Sequence, residues 1–561
     1  MLMQKLAELY DRVKDEVVPA GYKHHSVEWF IQLDEDGRYA GFVPTEGDEG
    51  PLEAPLPYRK RGGTKPPPYL LVDKPAYVLG LGLGDLTPEK AVARHEAFVE
   101  LVRECADACG HPAVEAVARF LEQDIHTARE DAPEELRPSH LIGFMVGTTR
   151  TFALRGAADF WTDKVTADLV ERADLECECL LCGRVKSVIK RHPIELQVGP
   201  DRAGLITANE NAFESFGLNA SEIAPVCLEC ACAYGLALRH LLDSPAHSFA
   251  TAGGTYVFWT REPTEFNPWQ FVSQADPEEV QRLLKTPWGR GGVPEMEPNE
   301  FYALCVSSNQ SRMVVRSWLH TTVGQVKENL AAYFRAQRIV GPDGSDAPYP
   351  INTLILSLVR RFDDLSPQVV PALLEFALTG RPLPTYLLHQ AVQRARADTD
   401  NRMTRPRAAI MRMVLESQRS TQKEGLTVSP ELDPQNAHPA YVSGRLLAVL
   451  EEVQRRAIPG VKATLVDKYF GTACSAPASA FGVLMRHAQA HLGKLRKTSE
   501  GTHYLLQKRL EEVSGLLPAD GFPRTLTLQD QALFALGYYQ QRAAGFYQKE
   551  GEQQQETEQE E

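Results

Sequence analysis

The sequence predicts an α+β protein: a mixed α/β N-terminal region carrying a zinc-stapled insertion, then a mainly helical region, then a C-terminal helical bundle. Three observations carry that prediction. β-rich runs bounded by turn residues alternate with helical periodicity as far as the loop Gly341-Pro342-Asp343-Gly344-Ser345-Asp346-Ala347-Pro348. Beyond that loop the apolar spacing is almost purely helical. Two Cys-x-x-Cys pairs interrupt the first part. With 561 residues the chain needs two or more folding units. The expected divisions are 1–350 with a cysteine-rich insertion at about 175–235, then 351–438, 439–549 and an acidic disordered tail at 550–561.

Taken in order, Val27–Leu33 and Arg38–Val43 flank Asp34-Glu35-Asp36-Gly37, an acidic turn closed by glycine that predicts a β-hairpin. A Pro- and Gly-rich basic loop, Arg59–Pro68, precedes a strand at Tyr69–Val72. Gly80, Gly82 and Gly84 lack the G-x-x-G half of a dinucleotide fingerprint and predict a flexible turn. Asp85 or Thr87, followed by Pro88 and Glu89, then opens a long helix through Ala91–Cys109. Strands are expected at Gly254–Thr260 and Phe301–Val306, and a helix at Val323–Gln337. Helices at Leu354–Arg360, Pro367–Leu378, Thr385–Asp398 and Ala408–Arg419 lead to a polar link, Gln422–His438. Helices at about 440–457, 461–470, 477–497, 501–516 and 526–548 then form the bundle.

Hydrophobic residues make up 43% and charged residues 24%, which excludes a wholly disordered, collagenous or membrane-embedded chain. Leu6, Leu9, Tyr10, Val13 and Val17 are spaced as an amphipathic helix rather than a signal peptide, so a cytoplasmic protein is expected. The net charge of -14 argues against indiscriminate coating of nucleic acid. Six acidic residues fall in the tail after Lys549, however, and the basic residues cluster elsewhere.

Cys179-x-x-Cys182 and Cys227-x-x-Cys230 have the spacing that lets paired thiolates bind one tetrahedral Zn²⁺. Cys177 and Cys232 are alternates, so spacing leaves the ligand set open. Reduced structural cysteines are the competing reading. Four thiolates would close the coordination sphere, so the ion would staple the insertion and catalyse nothing.

Arg59, Lys60, Arg61 and Lys65 can meet phosphates or purine acceptors, and Gly62-Gly63 allow close backbone approach; a solvated basic loop is the alternative. Asn309, Gln310, Arg312 and Arg316 are read as sitting where a strand or loop gives way to helix. Amides there could read adenine or wedge into a base step, and they could equally cap or solvate. Seven arginines between Arg394 and Arg419, among them Arg405, Arg407 and Arg412, suggest a surface facing a nucleic-acid strand. Between Tyr441 and Leu510, eleven basic residues stand against four acidic ones. Arg445, Lys468, Arg486, Lys494, Arg496 and Lys497 extend the same surface, with Tyr469, Phe470 and His487 as neighbouring rings.

Long motifs resemble one family along nearly the whole chain. They include Phe30–Arg38, Pro68-Tyr69-Leu70-Leu71-Val72-Asp73, Asn209-Glu210-Asn211-Ala212-Phe213-Glu214-Ser215-Phe216-Gly217 and Asn309–Arg316. Gly444–Leu450, Asp467-Lys468-Tyr469-Phe470-Gly471-Thr472-Ala473 and Phe534-Ala535-Leu536-Gly537-Tyr538-Tyr539 continue the series. The sequence is similar to the large subunit of the type I-C CRISPR surveillance complex, Cascade. That resemblance implies a non-catalytic subunit that reads the protospacer-adjacent motif of duplex DNA, helps open the duplex and docks a helicase-nuclease. It also implies partners: a guide-RNA complex with backbone and handle-binding subunits, and copies of the C-terminal bundle made separately as a small subunit. Met411, Met413 or a non-Met start nearer Ala440 could begin that product. The four-cysteine set is not a requirement of the family.

No G-x-x-x-x-G-K-[ST], H-E-x-x-H or G-x-S-x-G motif occurs, so no enzyme is expected. The alternatives are a zinc-containing nucleic-acid-processing enzyme and a helical protein-interaction scaffold.

Overall fold

The computed structural model describes residues 2–560 except 46–49, 60, 64, 171–175, 190–191, 195, 207–211, 213, 215, 219, 252, 286–297, 310–311, 400–401 and 420–427; side chains of 168–170, 220–221 and 546–560 are also left aside. The fold is mixed α/β, with sheets in the N-terminal part and helices dominating the middle and C-terminal parts. Among the described residues no helix is long and apolar enough to cross a membrane. Two compact units divide the chain: Met1–Ser248 with Val306–Arg316, and Phe249–Cys305 with Ser317–Glu561. The loop 341–348, which suggests a boundary in the sequence, lies within the second unit. There the helix Val323–Gln337 packs against Val369–Thr379 and Arg405–Gln418, so one core runs across the loop.

In the first unit the predicted hairpin forms from Trp29–Leu33 and Tyr39–Pro44. Asp34 Oδ1 accepts the N–H groups of Asp36 and Arg38 at 3.0 and 2.8 Å, closing the turn. Gly37 has φ +86°, and a Cβ there would collide with the Ala116 carbonyl, so glycine is required twice over. Trp29–Leu33 also pairs in parallel with Ile142–Val146. A parallel partner needs a crossover, and the helices Pro88–Cys109 and Pro112–Gln123 lie within it. Of Asp85 and Thr87, Thr87 takes the N-cap position of the first of these, without a side-chain cap hydrogen bond, and Gly110 ends it in the left-handed conformation. Phe98, Phe120 and Phe144 join sheet to helices with ring centroids 6.0–6.2 Å apart. A separate ribbon pairs Tyr22–Val27 antiparallel with Leu52–Pro57 and leads straight into the basic loop.

The second unit holds most of a four-stranded sheet ordered Ser248–Thr251, Gly254–Thr260, Glu300–Asn309, Arg312–Thr322. Bundle helices follow at Pro439–Ala457, Leu465–Ser475, Pro477–Thr498, Glu500–Ser514 and Leu528–Glu560. The first and last of these cross with backbones touching. A Cβ on Gly444 would overlap the Phe534 carbonyl, and one on Gly537 the Tyr441 carbonyl, which explains a glycine in each motif. The last helix continues through 550–560, where a disordered tail was expected. Glu and Gln are good helix formers, so the backbone can stay helical after the apolar face has ended.

Candidate metal centre and nucleic-acid interface

The candidate metal centre is built from two local structures of the first unit. The short strands Glu176–Glu178 and Val185–Ser187 pair antiparallel, and Cys179 and Cys182 occupy the loop between them. Gly183, at φ +67°, turns that loop back so that its N–H reaches the Cys179 carbonyl at 2.9 Å. Cys227 is the N-cap of the helix Leu228–Asp243, and Cys230 lies in its first turn. The two halves are stitched by Leu180 N–H to Pro225 O at 2.9 Å and Ile189 N–H to Val226 O at 3.2 Å.

All four Sγ atoms lie within 4.8 Å of one another, and those of Cys182 and Cys227 are 4.0 Å apart. A tetrahedral thiolate site with ~2.3 Å Zn–S bonds needs sulfurs about 3.8 Å apart, so small χ1 rotations would complete it. Burial alone would push the Cys179 thiol up, but the N–H groups of Cys182, Cys227 and Leu181, with the Cys182 side chain, hold it down at about 6. The set Cys179, Cys182, Cys227 and Cys230 therefore fits a metal ion. Cys177 and Cys232 stand outside it. Burial pushes Cys232 up to about 12, the behaviour of a packed thiol.

From this centre the helix Leu228–Asp243 runs against Leu2–Val13. Arg239 donates to the carbonyls of Val18, Pro19 and Tyr22, fixing the start of the Tyr22–Val27 strand. Pairing with Leu52–Pro57 carries that order to Tyr58, whose N–H donates to Gly21 O at 2.6 Å. The cysteine module thus braces the ribbon that presents the basic loop.

Within the loop, Arg61 departs from expectation. Its guanidinium lies 3.7 Å from the ring centroid of Tyr69 and 4.2 Å from that of Tyr77, forms an ion pair with Asp73, and donates from Nε to Pro67 O at 2.9 Å. Burial pushes the Asp73 carboxyl up; the Arg61 charge and the N–H groups of Tyr69 and Lys74 counter that push. Arg61 is consumed as the clamp of the loop and is not a base reader. Tyr77 Oη donates to Pro66 O at 2.9 Å, closing the other side. Gly62, Gly63 and Lys65 stay exposed on the clamped tip, with Gly63 at φ +78°; Lys60 lies outside the described residues.

Basic side chains of the ribbon join this tip. Lys23 sits 5.6 Å from the Tyr58 ring centroid, and the His25 ring is 5.7 Å from the same centroid. Burial lowers the His25 pKa, and the positive charges of Lys23 and Arg202 lower it further. Arg202 went unnoticed in the sequence. The turn Gly199-Pro200 between two short alternating runs was the available signal for its hairpin, Leu196–Val198 and Asp201–Ala203.

Asn309 and Arg312 do not stand where a strand gives way to helix. They flank the tip of a β-hairpin, Glu300–Asn309 and Arg312–Thr322, and helix begins only at Val323. A polar run such as the one at Asn309 suits a link between strands as well as it suits a helix cap. Gly204 forms a parallel bridge to Arg312, and its carbonyl accepts the Met313 N–H at 3.0 Å, so the hairpin tip docks beside the Arg202 strand. Arg316 donates to Ser307 Oγ at 2.8 Å, and Gln310 lies outside the described residues.

A family model described as CRISPR-associated protein (Cas_Csd1) matches residues 6–546. The chain belongs to the Cas_Csd1 family. It is a CRISPR-associated protein of the Cascade type. No curated protein matches it.

In this Cas_Csd1 chain the arginine-rich stretch is largely folded inward. Arg407 and Arg412 are buried. Arg407 donates to Ser357 O at 2.9 Å and pairs with Asp398 at 3.0 Å; Arg412 donates to the carbonyls of Val428, Arg335 and Ala336 at 2.7–2.8 Å. Arg405 is half-buried, donating to Ile339 O at 2.9 Å and Ala347 O at 2.7 Å. Arg445 is buried against Gln541, Pro434 and Asp433. These four are removed from the expected strand-facing surface. Their guanidiniums satisfy carbonyls of loops and of the Val323–Gln337 helix end, a task for which five fixed donors suit arginine.

The remaining basic residues stay at the surface. Arg486, Lys494, Arg496 and Lys497 are exposed on the helix Pro477–Thr498, and Lys468 on the neighbouring Leu465–Ser475. At 3.6 residues per turn, Arg486, Lys494 and Lys497 share one face with Gly482 and Gly493. A Cβ on either glycine would meet nothing within 4 Å, so packing does not demand them. Of the three neighbouring rings, Phe470 is core, in keeping with its helical spacing, Tyr469 is partly buried and His487 is exposed.

Proposed function

We propose that this Cas_Csd1 protein is the non-catalytic large subunit of a type I-C Cascade acting in the cytoplasm. It reads the protospacer-adjacent motif with the glycine-tipped loop of the first unit. The observation that carries this reading is the clamped Arg59–Lys65 loop, whose open tip lies on the ribbon bearing Lys23, His24 and His25. A rigid, Cβ-free, cationic tip suits entry into a duplex groove, where phosphate contacts set position and a few side chains read base edges. Guide pairing supplies the remaining specificity. Zn²⁺ is the metal best suited to four thiolates; when bound it supplies a structural cross-link.

In this reading the exposed basic face of Pro477–Thr498 follows the displaced strand and stabilises the R-loop. Backbone and handle-binding subunits hold the guide RNA, copies of the C-terminal bundle line the strand path as a small subunit, and the helicase-nuclease is recruited afterwards. The pure subunit incubated with labelled duplex, single strand and RNA plus Mg²⁺ or Mn²⁺ should leave all three intact. Cleavage abolished by a single carboxylate substitution would instead establish a nucleic-acid-processing enzyme.

A further inference from the structure

A cleft of about 240 Å³ opens between the bundle helices Pro439–Ala457 and Leu528–Glu560, apart from the basic face of Pro477–Thr498. Its lining includes Ala448, Val449, Arg455, Arg456, Arg542 and Gly545. Two carboxylates line it as well: Glu451 accepts from Arg455 at 2.8 Å and pairs with Arg542 at 3.5 Å, while Glu452 pairs with Arg456 at 3.9 Å and, from outside the lining, with Arg509 at 2.9 Å. Four guanidiniums thus surround two carboxylates, leaving a cationic surplus. Arg455, Arg456 and Arg542 keep 52, 44 and 36% of their side-chain surface exposed, whereas Glu451 keeps 4%. These ion pairs orient the arginines; Arg542 also lies 5.4 Å from the Tyr538 ring centroid, so Arg455 and Arg456 offer the most open guanidinium surface.

We propose that this cleft seats one nucleotide of a single-stranded nucleic acid, its phosphate on the guanidinium edges and its base against their planes over Ala448 and Val449. An arginine held flat by an ion pair on one edge presents both a fork for phosphate and a face for stacking. An acidic peptide would use the charge but has no need of the apolar floor. Gly545 borders the cleft, and a Cβ there would meet nothing within 4 Å, so the opening is kept clear by a residue whose enlargement the fold tolerates. The inference rests on the reading that the bundle follows a displaced strand, and adds to it a fixed point for one nucleotide.

The test is fluorescence anisotropy of the full-length subunit with a fluorescein-labelled oligo(dT) of about 15 nucleotides. Arg455→Ala/Arg456→Ala should weaken binding about tenfold and make the slope of log K against log salt shallower by about 1.4, the loss of two phosphate contacts. Arg455→Lys/Arg456→Lys should weaken binding with the slope kept, because charge remains and the planes are lost. Gly545→Phe should weaken it with all charges present. Wild-type affinity in the alanine pair or in Gly545→Phe, with melting unchanged, overturns the proposal, as does a ten-residue polyglutamate peptide displacing the oligonucleotide completely at equal concentration. Lys494→Ala/Arg496→Ala/Lys497→Ala separates the two readings. If only this triple variant loses affinity, the cleft is wrong and the strand path stands; if it too binds normally, the strand path fails.

Discussion

The guanidinium of Arg61 is stacked 3.7 Å from the ring centroid of Tyr69, with the fully buried Asp73 carboxylate as its ion partner. A residue that composition alone would assign to DNA instead fixes the loop that would touch DNA. Removing it leaves an unpaired carboxylate in the core, a loss that typically costs ~3–5 kcal/mol. Arg61→Ala should therefore lower the stability of the first unit by about 3 kcal/mol, read by denaturant unfolding followed at its own tryptophans, Trp29 and Trp161, with the other tryptophans replaced. Arg61→Ala/Asp73→Asn should recover part of that loss. A single variant within about 0.5 kcal/mol of wild type would show that the clamp contributes nothing.

The cysteine centre should hold close to one zinc per chain by elemental analysis. Cys179→Ser/Cys227→Ser should abolish binding and strip hydrogen-exchange protection from Leu228–Asp243, the helix whose first turn carries the ligands. Because Arg239 on that helix holds the carbonyls of residues 18–22, exchange should also quicken in Tyr22–Val27. Unchanged protection in both segments would make the four cysteines ordinary packed thiols.

Arg412 donates to three carbonyls. Arg412→Ala strands them in the interior, and each unsatisfied buried group typically costs ~1–3 kcal/mol. A loss of about 3 kcal/mol in the second unit is expected, with no change in the salt dependence of nucleic-acid binding. A shallower salt slope without destabilisation would return Arg412 to the strand-facing surface.

The exposed basic face should behave in the opposite way. Arg496→Ala/Lys497→Ala should leave melting unchanged, while the single-strand binding slope of the assembled complex becomes shallower by about 1.4. An identical slope would exclude phosphate contact at these two residues.

The cysteine knuckles were legible because their spacing is local: Cys179 and Cys182 need only their own turn, and Cys227 and Cys230 only one turn of helix. Helix Pro88–Cys109 was legible from Thr87, Pro88 and Glu89 for the same reason. The fates of Arg61, Arg407, Arg412 and Arg445 were not, since charge counting is blind to partners. Two of the carbonyls that hold Arg412 come from residues 335 and 336, 77 and 76 positions away, and the site of Arg445 includes Gln541, 96 positions away. The hairpin at Asn309 was misread because a polar turn between strands and a polar helix start use the same residues. The division into units also escaped local reading, because residues 306–316 pack with segments that precede them by about a hundred positions.

Duplex selection by the assembled complex, using a library randomised beside a fixed guide-complementary target and sequenced after recovery, addresses motif reading itself. With Arg59→Ala/Lys65→Ala, which spares the Arg61 clamp, the flanking-motif enrichment seen with wild type should collapse and duplex affinity should fall by about tenfold, within the range of one lost base contact. Wild-type enrichment and affinity in that variant, with the first unit folded, would contradict the assignment of motif reading to this loop.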